Sequence, residues 1–315
     1  INGSVDYYTK KNTSLLLNLP VIAATGYTNY LTNIGEVMNK GWELELRSHN
    51  IKRGGFSWET SLNLSHNQNE VRQLDGDQSR IEINGSFTSD AYAIMQVGLP
   101  MYTIFVVQQD GVLSQQDIDN GYPIVSGQKV GDARYIDANK DGKITGSDRV
   151  VVGHPNPSLF WGITNTFRFK GFDLSFLIQG QNGGKVYSLL GRAINRVGVS
   201  MGENVLDVDP AVRGNYKTSY AAPVNTDWLY SSDYYSLRNV TLGYDLSKLA
   251  KSTIIENARI YLSAENLIYI NKYTGGFNPE AQNANLSSNS NYPLPGDYGG
   301  LPIAKNVVIG LNINF

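Results

Sequence analysis

Residues 135–148, YIDANKDGKITGSD, carry oxygen-bearing side chains at the spacing of a helix-flanked calcium loop. In the twelve-residue pattern the ligand positions are one, three, five, seven and twelve, here Asp137, Asn139, Asp141, Lys143 and Asp148. Lys143 would contribute its backbone carbonyl, and Gly142 at position six permits the sharp turn. Calcium takes about six to eight oxygen ligands, and this spacing folds the chain around one point. The pattern therefore predicts a structural Ca²⁺ site within residues 137–148.

Other positions of the same loop shape this prediction. Ile144 at position eight is expected to pin the loop to a core, and Thr145 at position nine to help complete the shell. Asp148 has a shorter arm than the usual glutamate, which predicts weak binding with a Kd of about 10⁻⁴–10⁻³ M. The alternative is a metal-free turn, since Asp, Asn and Gly are common in turns.

The chain around this loop has the pattern of strands, and no flanking helices are predicted. In GWELELRSHN, Trp42, Leu44 and Leu46 alternate with charged residues, and FDLSFLIQ and NVVIGLNINF repeat the period of two. Eight strands are predicted, at residues 5–10, 36–50, 56–67, 159–169, 172–181, 234–244, 258–269 and 306–315.

The connections between these strands alternate strictly between short and long. IKRGG, the pair Lys170 and Gly171, and DLSKLAKSTIIEN are short. The long connections are residues 11–35, 68–158, 182–233 and 271–305. In an up-and-down antiparallel sheet, alternate connections emerge on the same side, so all the long ones share one side. Outer-membrane barrels have short periplasmic turns and long outer loops, which predicts an all-β, antiparallel transmembrane β-barrel.

The tryptophans support this interpretation. If the second and third strands pair across IKRGG, Trp42 and Trp58 share a face at opposite ends of the hairpin. Two aromatic belts that flank an apolar band would produce this arrangement. The alternative is a soluble β-sandwich with two core tryptophans, but the inner faces are polar and the loops are long for that fold.

Composition excludes several classes of protein. The net charge is −2 with three scattered histidines, which argues against a nucleic-acid binder. The chain has no cysteine, so a disulfide scaffold, a zinc–thiolate site and a cysteine nucleophile are excluded. No apolar run reaches the roughly 20 residues of a membrane helix.

No catalytic constellation is present, and we expect the chain not to be an enzyme. The motifs G-x-S-x-G and H-E-x-x-H are missing, and His49, His66 and His154 are not at metal-ligand spacing. Glu43 and Glu45 share one face and are interpreted as solvated lumen charges rather than a glycosidase pair.

Residues 131–157, GDARYIDANKDGKITGSDRVVVGHPNP, resemble a signature of SusC/RagA-type TonB-dependent outer-membrane transporters of the Bacteroidota. The pattern there is G-D-x-x-Y, the calcium-type loop and G-x-P-x-P. The matching residues outside the loop are Gly131, Asp132, Tyr135, Gly153, Pro155 and Pro157. NKGWELEL, KGFDLSFLIQGQNGGKVY, AENLIYINKYTGGFNPE and the terminal Phe315 are also similar, so the resemblance covers essentially all 315 residues.

The resemblance implies that residues 1–315 are the C-terminal part of a barrel of about 22 strands in the bacterial outer membrane. The plug and the TonB box of the family are not in this sequence. The implied function is TonB-dependent import of glycan oligosaccharides, or of oligopeptides, with a SusD-like surface lipoprotein as lid. The implied assembly is a dimer of transporter–lipoprotein pairs, with TonB acting through the missing N-terminal region.

Two other functions stay open from the residues alone. One is a self-contained small β-barrel that acts as a pore or an adhesin. The other is a soluble, calcium-dependent carbohydrate-binding β domain. No residue is assigned to substrate contact.

Overall fold

The computed structural model describes residues 1–20, 29–74, 80–83, 91–194, 221–248, 257–281 and 296–314. The strands are β1 Asn2–Pro20, β2 Asn29–Arg53, β3 Phe56–Gln73, β4 Arg80–Ile83, β5 Ala93–Gln96, β6 Thr103–Val107, β7 Gln109–Val112, β8 Ala133–Tyr135, β9 Arg149–Gly153, β10 Leu159–Phe169, β11 Phe172–Asn182, β12 Lys185–Tyr187, β13 Leu229–Ser231, β14 Tyr234–Asp245, β15 Asn257–Asn271 and β16 Asn306–Asn314. The short helices are α1 Gln115–Asp119 and α2 Leu189–Ile194, with 3₁₀ turns at Gly146–Asp148, Thr226–Trp228 and Leu246–Lys248. Within these ranges no helix has the length and apolar character needed to cross a membrane.

The eight predicted strands form one antiparallel sheet in the order β1-β2-β3-β10-β11-β14-β15-β16. The strands of the sheet follow one another along the chain, and each pairs with the one before it, as expected for an up-and-down barrel wall. The predicted strand at residues 159–169 has the observed bounds of β10, and β11 and β14 each extend one residue further. The prediction of an all-β, antiparallel barrel wall is confirmed.

Two tight turns close one end of the sheet. Gly54 and Gly55 join β2 to β3 with φ angles of 61° and 79°, and Lys170 and Gly171 join β10 to β11 with 49° and 93°. Positive φ at both central residues is the type I′ geometry, whose twist matches that of paired strands. The glycines supply this conformation at little steric cost, so the short connections fix the strand register.

The two faces of the sheet differ sharply in polarity. One row of directly paired residues runs Leu46, Leu62, Ile163, Ile178, Leu237 and Ile268. The neighbouring row on the other face runs Glu45, Asn63, Gly162, Gln179, Ser236 and Tyr269. Apolar side chains on the first face stay exposed, among them Ile268 at 51% and Ile309 at 75%. An exposed apolar face opposite a polar one suits a wall between lipid and a hydrated lumen.

The prediction of a long loop at residues 11–35 was wrong. β1 continues to Pro20, and β2 begins at Asn29, so most of this segment is a two-stranded ribbon. The register shifts at residues 12–16, where Ser14 has φ 58°, break the period of two that would reveal the strand. β3 likewise extends to Gln73 instead of ending near residue 67.

The remaining long connections fold at the end of the sheet opposite the tight turns. We call the described parts of residues 74–158, 183–233 and 272–305 the outer cap. It contains the four-stranded sheet β4-β5-β6-β9 and the pairs β7-β8 and β12-β13. The largest side chains under 2% exposed include Trp228, Tyr92, Tyr135 and Tyr187, all from these connections. The apolar core of the chain therefore lies in the cap.

Candidate functional site

Residues 137–143 close on themselves through side chain to backbone hydrogen bonds. The carboxylate of Asp137 accepts from the amides of Asp141 at 3.2 Å and Gly142 at 2.9 Å. Asn139 Oδ1 also accepts from the Asp141 amide at 2.9 Å, and Asp141 Oδ1 accepts from the Lys143 amide at 2.9 Å. Gly142 adopts φ 80°, the left-handed conformation expected at position six. The structure thus brings Asp137, Asn139 and Asp141 together around one turn.

Asp148 joins the two ends of the loop from beneath. Its side chain is fully buried, and its Oδ1 accepts from the amides of Ala138 at 3.0 Å and Asn139 at 3.4 Å. Its Oδ2 accepts from the Thr145 amide at 2.7 Å, and together they form the capping box of the Gly146–Asp148 turn. The carboxylate therefore replaces water for three backbone donors.

The oxygen atoms of this loop are of the chemical types that bind calcium. Carboxylate, amide and carbonyl oxygens are the ligands that Ca²⁺ takes, and a carboxylate oxygen that accepts one N–H retains another lone pair. Among the described residues, however, no three Asp, Glu or His side chains converge as a metal-binding group. The Asp148 carboxylate is occupied by backbone amides, and the Lys143 amide donates to Asp141. Calcium binding stays a prediction.

The G-D-x-x-Y motif builds the floor under the loop. Asp132 is 3% exposed and accepts from the Lys129 amide at 2.7 Å, which closes the turn at Gly131, where φ is 89°. Tyr135 packs with Ile144, Val107 and Ala133 in a small buried cluster. Ile144 is 7% exposed, as its position in the loop pattern predicts. The motif therefore has a structural role whether or not a metal is bound.

A cavity of about 560 Å³ opens on the polar face of the sheet. Its carboxylates are Asp6, Glu43 and Glu45, which belong to β1 and β2. Gln179 and Tyr234 line it on the far side. The predicted lumen position of Glu43 and Glu45 agrees with this face.

The outer cap joins three separate connections into one body. Tyr92 stacks on Tyr187 with ring centroids 4.3 Å apart, and its hydroxyl lies 3.2 Å from that of Tyr298. Burial raises the pKa of Tyr92 and of Tyr187 well above the usual tyrosine range. Asp297 is fully buried and accepts from the Tyr273 hydroxyl at 2.5 Å. These contacts give the cap a rigid core at the mouth of the sheet.

The sequence interpretation missed a group on the lumen wall centred on Glu280. Arg238 and Glu280 form an ion pair at 3.0 Å, and Tyr234 and Tyr269 donate to the same carboxylate. A signal was present in SLRNVTLGYD, where Leu237 and Val240 are three residues apart instead of two. That spacing marks the extra residue of a β-bulge. The predicted C-terminal Phe315 lies outside the described residues.

No family model matches the chain. It is 31% identical over 329 aligned residues to TonB-dependent receptor P3 of Formosa agariphila, a match that covers 99% of this chain and 32% of the relative. It is 24% identical to TonB-dependent receptor SusC of Bacteroides thetaiotaomicron, covering 100% of this chain and 30% of the relative. The chain therefore spans about a third of the length of the curated relatives it matches. These relatives are receptors, which confirms the prediction that the chain is not an enzyme.

Solved structures of the RagAB peptide transporter resemble the fold. One matches 99% of this chain and 33% of the neighbour at a TM-score of 0.76 and 19% identity. The same importer in an 'open-open' state matches at a TM-score of 0.73 with 19% identity, covering 99% of this chain and 32% of the neighbour. At these identities the likeness supports the fold alone.

Proposed function

The chain is a homologue, over its whole length, of SusC/RagA-type TonB-dependent receptors of the bacterial outer membrane, and from this we propose that the complete protein imports oligomeric nutrients. Import would depend on TonB, and the cargo would be glycan oligosaccharides or, as the second candidate, oligopeptides. The observation that carries the proposal is that 99–100% of this chain matches named receptors, together with a wall that has one apolar and one polar face. A soluble β domain would bury its apolar face and would not need such a wall.

In this proposal the chain is one part of the complete transporter. We propose that it forms the C-terminal strands of a barrel of about 22 strands, and that a plug and a TonB-contacting segment belong to another part of the complete protein. The outer cap would form one side of the vestibule and the seat of a SusD-like surface lipoprotein. Its buried aromatic core, with Trp228 at 1% exposure, supports a rigid docking surface. Two transporter–lipoprotein pairs would associate as a dimer.

The loop at residues 137–148 would act as a calcium staple within this cap. The proposed ligands are Asp137, Asn139, Asp141, the carbonyl of Lys143, and Asp148. Their order in the loop and their oxygen donors support the proposal. The ion would stiffen the turn above the small cluster that contains Tyr135 and Ile144. The external medium, where calcium is plentiful, suits a weak site.

The chemical class of the imported substrate is a further part of the proposal. The structural neighbours are named as a peptide transporter, which supports oligopeptides as the second candidate. The polar face with Asn63, Gln179 and exposed Phe160 offers hydrogen bonds and an aromatic surface to either class.

The test is uptake by the native bacterium. Deletion of the full-length gene should abolish uptake of one class of labelled oligomer, either oligosaccharide or oligopeptide, and a TonB deletion should abolish the same uptake. Affinity purification of the full-length protein from membranes should also recover a surface lipoprotein. Uptake that persists without TonB would contradict the energised mechanism and favour a passive pore.

A further inference from the structure

The carboxylate of Glu280 is held by three side chains on the lumen wall. Arg238 Nη2 donates to Oε1 at 3.0 Å and to Oε2 at 3.2 Å. The Tyr234 hydroxyl donates to Oε1 at 2.6 Å, and the Tyr269 hydroxyl donates to Oε2 at 3.3 Å. Both carboxylate oxygens thus receive charge-assisted hydrogen bonds, the strongest kind between side chains.

A β-bulge aims Arg238 at this point. β14 pairs with β11 through Leu237–Ile178 and Asn239–Leu177, so Arg238 is the extra residue of a bulge against β11. Asn266 on β15 has φ 54° and accepts from Arg238 Nη1 at 3.0 Å. Bulges commonly redirect a side chain near a functional site. Here the bulge turns a guanidinium toward the lumen.

The groups around Glu280 all belong to strands of the sheet. Tyr234 is 4% exposed and stacks on Tyr269 with ring centroids 4.9 Å apart. With its side-chain oxygen turned toward the guanidinium, Gln179 accepts from Arg238 Nη2 at 3.2 Å and Nε at 3.1 Å. These four residues belong to β11, β14 and β15, whereas Glu280 comes from the connection after β15. The sheet alone therefore presents a guanidinium with two hydroxyl donors.

We propose that Arg238, Tyr234, Tyr269 and Gln179 form a ligand carboxylate site in the lumen, which the chain's own Glu280 fills in this structure. Tyr234 and Gln179 also line the 560 Å³ cavity, so a ligand in that cavity lies beside two of the four residues of the site. Both partners of the ion pair are partly exposed, Arg238 at 29% and Glu280 at 25%. Exchange of one carboxylate for another keeps the guanidinium paired, which avoids the cost of a bare charge.

The segment that carries Glu280 is then a displaceable strap over the site. Residues 272–281 leave β15, and Tyr273 is anchored to the cap through Asp297. Phe277, between that anchor and Glu280, is 63% exposed. A carboxylate-bearing ligand would release the strap at Glu280 while Tyr273 keeps it attached to the cap. The biological use of the site rests on the proposed import function, but the binding tested below needs no transport.

The test uses the full-length protein in detergent with 3,3,3-trifluoropropionate as probe, followed by ¹⁹F NMR. Glu280→Gln removes the internal competitor with little change of shape, and we expect it to bind the probe at least tenfold more tightly than the wild type. The uncharged 3,3,3-trifluoropropionamide should show no such gain. Adding Arg238→Met to Glu280→Gln should abolish the gain. The matched control is Glu82→Gln, which breaks the cap ion pair with Arg149 and should bind like the wild type.

A second measurement does not depend on altering Glu280. A nitroxide at Phe277→Cys in the otherwise wild-type protein should become more mobile when excess probe is added, and not with the amide. The proposal is overturned if Glu280→Gln binds the probe no more tightly than the wild type, or if the gain in affinity survives Arg238→Met. It is also overturned if the mobility of the nitroxide does not change when the probe is added. If the wild-type protein supports no uptake but binds the probe as expected, only the proposed import function is contradicted, and the binding site stands.

Discussion

Trp58 and Phe167 stack with ring centroids 5.6 Å apart on the apolar face, at the end of the sheet where the hairpins turn. At the cap end of the same face, Trp161 and Tyr235 lie 5.7 Å apart. From Trp161 to Phe169 is about 26 Å along β10 at ~3.3 Å per residue. With the usual strand tilt this is roughly 20 Å across the membrane, near the height of an apolar band between aromatic girdles.

Calcium should stabilise the cap of the full-length protein. With a Kd of about 1 mM, raising Ca²⁺ from zero to 10 mM adds about 1.4 kcal/mol of binding free energy to the folded loop. Asp141→Asn should remove most of this gain, because it takes a charge from the turn that Asp137 and Asn139 share. The measurement is calcium-dependent protection from proteolysis at residues 137–148. Asp119→Asn, exposed on α1, is the control and should respond like the wild type.

Asp148→Ala should destabilise the loop even without calcium. The substitution leaves the amides of Ala138, Asn139 and Thr145 without their acceptor. An unsatisfied buried group costs about 1–3 kcal/mol, and the first two donors regain water, so we expect a loss of about 2–3 kcal/mol. Native-state proteolysis in EDTA measures it. Asp119→Ala should cost under about 0.5 kcal/mol, and an equal loss in both variants would contradict the role of Asp148.

The start of α1 should open in acid. The Ser114 hydroxyl and amide donate to Asp117, and with Arg134 nearby they hold the pKa of that carboxyl below its usual range. A lowered folded pKa means stability that is present above the unfolded value of about 3.9 and is lost as pH falls through the folded pKa. Hydrogen exchange at residues 115–120, corrected for the intrinsic rate, should accelerate below about pH 4. Ser114→Ala should move the onset to higher pH, and an unchanged onset would contradict this cause.

The extension of β1 and β2 beyond the predicted strands can be tested with a disulfide. Lys11 and Met38 are directly paired in the register, so cysteines there should cross-link rapidly on oxidation. The chain has no other cysteine. The matched control pairs Lys11→Cys with Asn39→Cys, one residue out of register, and should cross-link far more slowly. Equal rates would indicate a loop at residues 11–35, as the sequence pattern predicted.

The sequence predicted the sheet because two local signals agree. Apolar and polar residues alternate on β10 and β11, and Lys170–Gly171 provides the matching turn. Where the alternation breaks, prediction fails: the register shifts near Ser14 conceal the β1–β2 ribbon, and the bulge at Arg238 shows only as a changed spacing. Such irregularities depend on the tertiary contacts of a strand, which its own sequence does not specify.

The geometry of the loop at residues 137–148 was predicted only in part for a similar reason. The order of Asp137, Asn139 and Asp141 indicates a turn, and Ile144 is buried as its position requires. How far Asp148 turns toward the other carboxylates depends on the amides it accepts from, which follow from the folded backbone. The Glu280 group joins side chains of β11, β14 and β15 to the connection that follows β15, a combination that no single segment can indicate.

The central claim is that this sheet separates lipid from a hydrated lumen, and adjacent residues on β14 test it most directly. Leu242 lies on the apolar face at 47% exposure, and Thr241 lies on the opposite face with Ser263. Nitroxide labels at each position of the full-length protein in liposomes should respond oppositely to two relaxation agents. We predict that Leu242→Cys is relaxed mainly by lipid-soluble oxygen and Thr241→Cys mainly by a water-soluble nickel chelate. Equal access of the nickel chelate to both labels would contradict a membrane-spanning wall.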